Sequence, residues 1–291
     1  MSKLYGSFSQ QKGSFGSSTV VQLNRQSVLK EKPANVKNPR TFSQMQRRVR
    51  IANLTNLWNA FTGNDRPSFE SKPRTWSDNN AFVSANLSTS PVALTKQEAQ
   101  QAACVVAAYQ VTRGSLPSIA VEIASGIGKT DISLGSLVFD EETTLGDFSA
   151  AVVENNRAFR YGDQISCFLA EQTVNSVTGI PYVEMHCFEI TLSSSQEELL
   201  ADIVSSDAFS EVDGKLGTGA AVNGAVAYIH SRKTAKGTAV STQRFVVASS
   251  ILATYSSEAH LQEAVLSYGG NLTDYFLTPN IDTPLAPASG D

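Results

Sequence analysis

The sequence is short of charge. Asp, Glu, Lys and Arg make up only 17% of its 291 residues, against about 25% in ordinary globular proteins. Ser, Thr, Asn and Gln take their place. Histidine and cysteine are scarce, at three each. Neither C-x-x-C nor H-x-x-x-H spacing occurs, so a structural zinc site of the usual kind is excluded. Three cysteines (Cys104, Cys167 and Cys187) do not make a disulfide framework, which needs an even set in a secreted chain. No apolar run approaches the ~18–20 residues that cross a bilayer. The longest runs, Phe245–Ala253 and Cys104–Tyr109, read as buried strands. Met1–Gln10 contains no apolar leader core. The expectation is therefore synthesis inside the cell with reduced thiols and no membrane partner. On that reading the glycosylation patterns at Asn53, Asn86 and Asn271 carry no meaning. Glycine (19) and proline (10) stand near their average frequencies. A collagen-like, disordered or coiled-coil chain is excluded.

What charge there is lies unevenly. Residues 1–50 hold ten bases (Lys3, Lys12, Arg25, Lys30, Lys32, Lys37, Arg40, Arg47, Arg48, Arg50) and one acid, Glu31. That segment carries +9, while the remainder, with 13 bases and 26 acids, carries −13. Such a split calls for a partner to the basic segment: nucleic acid, the acidic body of a neighbouring copy, or the chain's own body.

The periodicity predicts four regions. Residues 1–36 read as an extended basic arm punctuated by Gly6, Gly13 and Gly16, with strand candidates at Thr19–Leu23 and Ser27–Lys30. Residues 37–92 form a helical segment. A helix runs from Phe42 to Phe61, capped by Thr41 or Ser43, with apolar residues at Phe42, Met45, Val49, Ala52, Leu54, Leu57, Trp58 and Phe61. A second short helix over Ser77–Leu87 packs on it through Trp76, Phe82 and Leu87. Residues 93–255 are the β-rich body, opened by a capping box at Thr95–Glu98. Its expected strands are Cys104–Arg113, Ile119–Ala124, Asp131–Phe139, Gln164–Glu171, Tyr182–Leu192, Gly214–Ala220, Ala225–Arg232 and Ala239–Ala248, the last two joined at Lys236-Gly237. Helices interrupt them over Leu145–Asn156 and over Ser195–Val204, the latter capped by Ser195. Residues 256–291 hold a helix over Ser257–Ser267, closed by Gly269-Gly270, and an extended tail. The fold class is α+β, predominantly antiparallel β as a sandwich or barrel, with a basic N-terminal arm, an N-terminal helical segment and a few inserted helices.

Motifs for catalysis are weak. Ser125-Gly-Ile-Gly-Lys-Thr looks like the end of a phosphate-binding loop, but Ile123 stands where its first glycine belongs and no strong helix follows. It reads as a hairpin turn. His186 and Cys187 are adjacent in a strand, face opposite ways and cannot share a metal ion. His230 and His260 stand alone, and there is no G-x-S-x-G elbow. The acid pairs Glu141-Glu142 and Glu197-Glu198 read as a solvated loop and a helix start. The arginines of the first helix sit at its N-terminal half, the end the macrodipole disfavours for cations. That placement hints at an external partner.

Three stretches are distinctive together: Asn38-Pro-Arg-Thr-x-x-Gln44-x-x-x-Arg48, the turn Val111-Thr-Arg-Gly-Ser-Leu-Pro, and Ala227-Tyr-Ile-His-Ser-Arg-Lys followed by Val240-Ser-Thr-Gln-Arg-Phe-Val-Val. Their order and spacing resemble a domain-of-unknown-function family of Bacteroidota and their crAss-like phages, over roughly residues 35–250. In the phage setting the resemblance implies a virion component of the neck, tail or capsid exterior. The expected function is a non-enzymatic structural protein, a ring or collar component forming a homo-oligomer. Its expected partners are further copies and other virion proteins such as portal, tail or capsid. No cofactor and no metal is expected. The contact residues are expected to be Asn38, Arg40, Arg47, Arg48 and Arg50. Two alternatives stand beside this: a nucleic-acid-associated protein using the Arg40–Arg50 helix, and a β-rich surface or carbohydrate-binding module.

Overall fold

The computed structural model describes residues 2–4, 13–15, 18–23, 26–31, 41–61, 66–140, 142–195, 197–235 and 237–270. The chain divides into two compact units, Met1–Arg40 and Thr41–Asp291.

In the first unit, strands β1 (Ser2–Leu4), β2 (Gly13–Phe15), β3 (Ser18–Leu23) and β4 (Gln26–Glu31) form one antiparallel sheet in the order β1-β4-β3-β2. The two expected strands are the central pair, with Val20 opposite Leu29 and Val21 opposite Val28. The basic arm therefore satisfies part of its backbone by pairing with itself.

The second unit opens with α1 (Phe42–Ala60), α2 (Asp78–Asn86) and α3 (Lys96–Gln100), followed by β5 (Gln110–Thr112), β6 (Val121–Ala124), β7 (Ile127–Ser133) and α4 (Leu145–Asn155). Next come β8 (Asp163–Val174), β9 (Pro181–Thr191), α5 (Leu200–Ile203), β10 (Ser210–Val212) and β11 (Lys215–Gly217). The last elements are β12 (Gly224–Thr234), β13 (Gly237–Val240), β14 (Gln243–Arg244), β15 (Val246–Val247), α6 (Ile251–Tyr255) and α7 (Glu258–Ser267). Helices with mostly antiparallel sheets make this an α+β fold. None of the sheets closes into a barrel among the described residues.

The organising layer is the sheet β13-β12-β8-β9, with β15 also on β12. Its central strands β8 and β12 are buried on both faces, which explains their near-continuous apolar sequence. One face carries Phe168, Ala170, Ala225, Ala227 and Ile229 into a core with Leu54, Leu57, Trp58 and Phe61 from α1 and its end, and Phe82 from α2. The opposite face carries Ile165, Cys167, Leu169, Val226 and Tyr228 against Phe148 and Val152 of α4, Ile132 of β7 and Leu216 of β11. The small sheet β10-β11-β7-β6 belongs to that second cover. A smaller core joins Phe42, Met45 and Val49 of α1 to Ala93 and to Ala264 and Val265 of α7.

Several local expectations hold for their stated reasons. Ser77 caps α2 by accepting from Asn80 N. Thr95 and Glu98 form the capping box of α3. Ser125 (φ 51°) and Gly126 (φ 84°) make a two-residue turn between β6 and β7, the type I′ geometry of a tight hairpin. Lys129 beyond it pairs with Asp213 at 3.1 Å. The phosphate-loop reading ends there.

Others need correction. The strand expected over Cys104–Arg113 is only three residues long, Gln110–Thr112. Residues Ala103–Ala107 are buried outside any strand, and side-chain amides replace the missing neighbour. Asn53 Nδ2 donates to Val105 O and Val105 N donates to Asn53 Oδ1. Gln172 accepts from Val106 N and donates to Cys104 O. Asn56 donates to Ala103 O, and Asn86 brackets Gln110 from both sides. The helix expected over Ser195–Val204 shrinks to one turn, with Leu199 rather than Ser195 at its cap. Backbone bonds from Leu145 N to Glu198 O and from Leu200 N to Thr143 O tie that segment to the entry of α4 instead. Glu197 and Glu198 thus precede the helix. The strand expected over Ala239–Ala248 breaks into β13, β14 and β15, because Phe245 turns into the core and its N–H bonds Tyr109 O. The strand placed at Asp131–Phe139 runs earlier, Ile127–Ser133. Thr41 is the N-cap of α1 but makes no side-chain cap bond. Trp76, expected against α1, is 40% exposed.

Candidate functional site

Of the residues expected to make contacts, Asn38 and Arg40 lie outside the described residues. Arg47 and Arg48 are exposed on the N-terminal half of α1, while Phe42, Met45 and Val49 turn inward at helical spacing. Arg50 is half-buried, and its Nε is buried without a hydrogen-bond acceptor among the described residues. No acid occupies the first turn of α1, so the helix supplies nothing to offset three cations near its positive end. Arg48 stands close enough to Tyr268 to act on its phenol. The remaining flank of this half-helix is closed by α7. There His260 Nε2 lies 3.3 Å from Glu98 Oε2, an ion-pair contact rather than a well-aligned hydrogen bond. Contact with the Glu98 carboxylate raises the His260 pKa against the opposing pull of burial.

The structure brings two of the distinctive stretches into one lock. β5 pairs with β14, and Leu116 bridges Ser241. Thr112 Oγ1 donates to Ser241 O at 2.7 Å, Gly114 N donates to Thr242 Oγ1, and Thr242 Oγ1 donates back to Gly114 O. Glu70 completes the lock, its carboxylate accepting from Ser115 N, Ser115 Oγ and Val240 N. Those bonds, led by the Ser115 amide, hold the Glu70 pKa below its ordinary value. A glycine is required at 114, since a Cβ there would lie 2.1 Å from Val240 O. The pattern therefore encodes a packing contact. Glu70 had no sequence signal, because its partners lie 45 and 170 residues away.

The third stretch contributes Arg232 to a buried ion cluster. Asp163, 1% exposed, accepts from Arg232 Nε and Nη2, both at 2.6 Å, and from the Arg160 backbone N–H. It also faces His230 Nε2 at 2.8 Å. Burial works to raise the Asp163 carboxyl, but Arg232 and His230 outweigh it and hold the carboxyl below its ordinary range. Burial depresses the His230 pKa despite Asp163. His230 is fully buried beneath Phe159, whose ring centroid is 4.3 Å away, and its Nδ1 has no partner among the described residues. From the sequence this histidine stands alone. It is instead sealed in the sheet, and the cluster joins β8 to β12 where register puts Arg232 opposite Asp163.

All three cysteines are free thiols, and burial lifts the Cys167 thiol to about 12. No helix among the described residues is long and apolar enough to cross a membrane. No protein-family model, curated protein or solved structure matches the chain.

Proposed function

We propose that the chain is a non-enzymatic structural protein of a bacteriophage virion, a neck, tail-ring or collar component. It assembles by laying its basic N-terminal unit and the arginine row of α1 on the acidic bodies of neighbouring copies. The observation that carries the reading is the exposure of Arg47 and Arg48 on α1, next in sequence to a basic unit that pairs its own strands. The charge ratio supports it: +9 over residues 1–50 and −13 over the rest. A basic patch meeting an acidic one on the next copy is a head-to-tail contact, which closes into a ring when the rotation allows. Two of the three distinctive stretches serve packing, as a scaffold requires. The virion setting rests on the family resemblance.

The test is deletion of residues 2–36 with the rest of the chain intact. The expected result is a defined oligomer from the full chain and none from the truncated one. An identical oligomer from both would overturn the role of the basic unit. The same arginine row also fits a nucleic-acid backbone, so a mobility shift is the control. Phosphate binding weakens steeply between about 50 and 200 mM salt, and a salt-sensitive shift would replace the assembly reading.

A further inference from the structure

The register of β8 against β9 creates a group that neither strand shows alone. Glu171 on β8 lies directly opposite Glu184 on β9, and His186 follows two residues along on the same face. All three are exposed, and one ligand atom from each lies within 4.8 Å of the others. His186 Nε2 is 4.0 Å from Glu171 Oε2, and the imidazole is ranged against Phe188, with ring planes 24° apart.

Directly opposed like charges destabilise an antiparallel pair. Among the described residues neither carboxylate accepts a hydrogen bond, and neither has a lysine or arginine within ion-pair distance; the group they share is the His186 imidazole. The fold thus sets two uncompensated carboxylates and an aromatic nitrogen around one point. The imidazole separates this set from a bare acidic patch. It also selects among cations, because nitrogen with two carboxylates suits zinc, cobalt or nickel, whereas calcium and magnesium prefer oxygen alone.

We infer that Glu171, Glu184 and His186 form a surface site for a divalent transition-metal ion. Metal–ligand bonds of about 2.0–2.2 Å bring donor atoms to roughly 3.0–3.5 Å apart. Rotation of the two glutamate side chains covers the difference. With three protein ligands on an exposed face, one or more coordination positions stay open to water or to a donor from another molecule. Among the described residues β9 is the terminal strand of its sheet, so the ion clips an edge strand to the neighbour it pairs with there. The site does not depend on the assembly reading above.

The experiment titrates zinc chloride into the EDTA-treated, full-length protein by calorimetry, and repeats it with Glu184→Gln, His186→Gln and His260→Gln. The last controls for the separate Glu98–His260 contact. The expected result is one saturable site in wild type and in His260→Gln, weakened at least tenfold in the other two. Melting in EDTA shows that all variants are folded, since the changed side chains are at or near the surface. Zinc should raise the melting temperature of wild type reversibly, and leave that of Glu184→Gln and His186→Gln unmoved. Absence of saturable binding up to about 1 mM zinc, where binding is worth only about 4 kcal/mol, would overturn the inference. So would binding undiminished by both site substitutions.

Discussion

Replacing Asn53 by alanine tests whether side-chain amides hold the buried segment Ala103–Ala107 in place. Asn53 is fully buried on α1 and makes three bonds: it donates to Val105 O (2.9 Å) and Tyr109 Oη (2.9 Å) and accepts from Val105 N (2.8 Å). Val105 is also fully buried, so water cannot take over. Alanine leaves the N–H and C=O of Val105 without partners, and each stranded group costs about 1–3 kcal/mol. Tyr109 keeps Ser90 Oγ at 2.8 Å and adds little. The expected loss is about 3–5 kcal/mol, a fifth or more of a stability of roughly 5–15 kcal/mol. Urea unfolding is the assay. With a slope near 2–3 kcal/mol/M, the midpoint should fall by about 1–2 M at unchanged slope. Asn53→Asp restores the acceptor but neither donor, and should rescue nothing. A loss under about 1 kcal/mol for Asn53→Ala would refute the reasoning, since Val105 would then be satisfied some other way.

Arg232→Met removes the bidentate partner of the buried Asp163 carboxylate and leaves it with His230 and the Arg160 N–H, which should cost about 3 kcal/mol and move acid unfolding to higher pH. Gly114→Ala pushes a methyl into the Val240 carbonyl and should cost about 1–3 kcal/mol, read as a melting temperature lower by several degrees. Buried His230 and half-buried His260 should pull stability in opposite directions with pH. His230, with its depressed pKa, lets the unfolded chain protonate first, so stability falls as pH drops below about 6.5. His260, with its raised pKa, contributes stability that is full below about 6.5 and lost as pH rises through its folded value. Denaturation series over pH 5–8 should therefore show a shallower acid-side slope for His230→Gln and a smaller loss toward pH 8 for His260→Gln.

The elements that could be read from sequence are those whose signal is local. The stripe Phe42–Met45–Val49, the Thr95–Glu98 box, and the Ser125-Gly126 turn each depend on residues within one or two turns of chain. The long strands β8 and β12 were legible from their apolar runs. The failures share a cause. Ala103–Ala107 has a strand's composition, but most of its hydrogen bonds come from side-chain amides as many as 68 residues away. Ser195–Val204 has a helix's composition, but its backbone is spent on the entry of α4. Glycosylation-like Asn53 and Asn86 proved to be core brackets. Arg47, Arg48 and Arg50 were visible because charge is countable. Glu70, Asp163 and the Glu171–Glu184–His186 group were not, because strand register and loop convergence decide who meets whom.

The central claim is that basic N-terminal units hold acidic neighbours together. Light scattering of the purified full-length protein at about 50 mM and about 500 mM salt tests it most directly, since the Debye length shrinks several-fold over that range. A defined oligomer at low salt that dissociates at high salt is the predicted result. A monomer at both concentrations would contradict it.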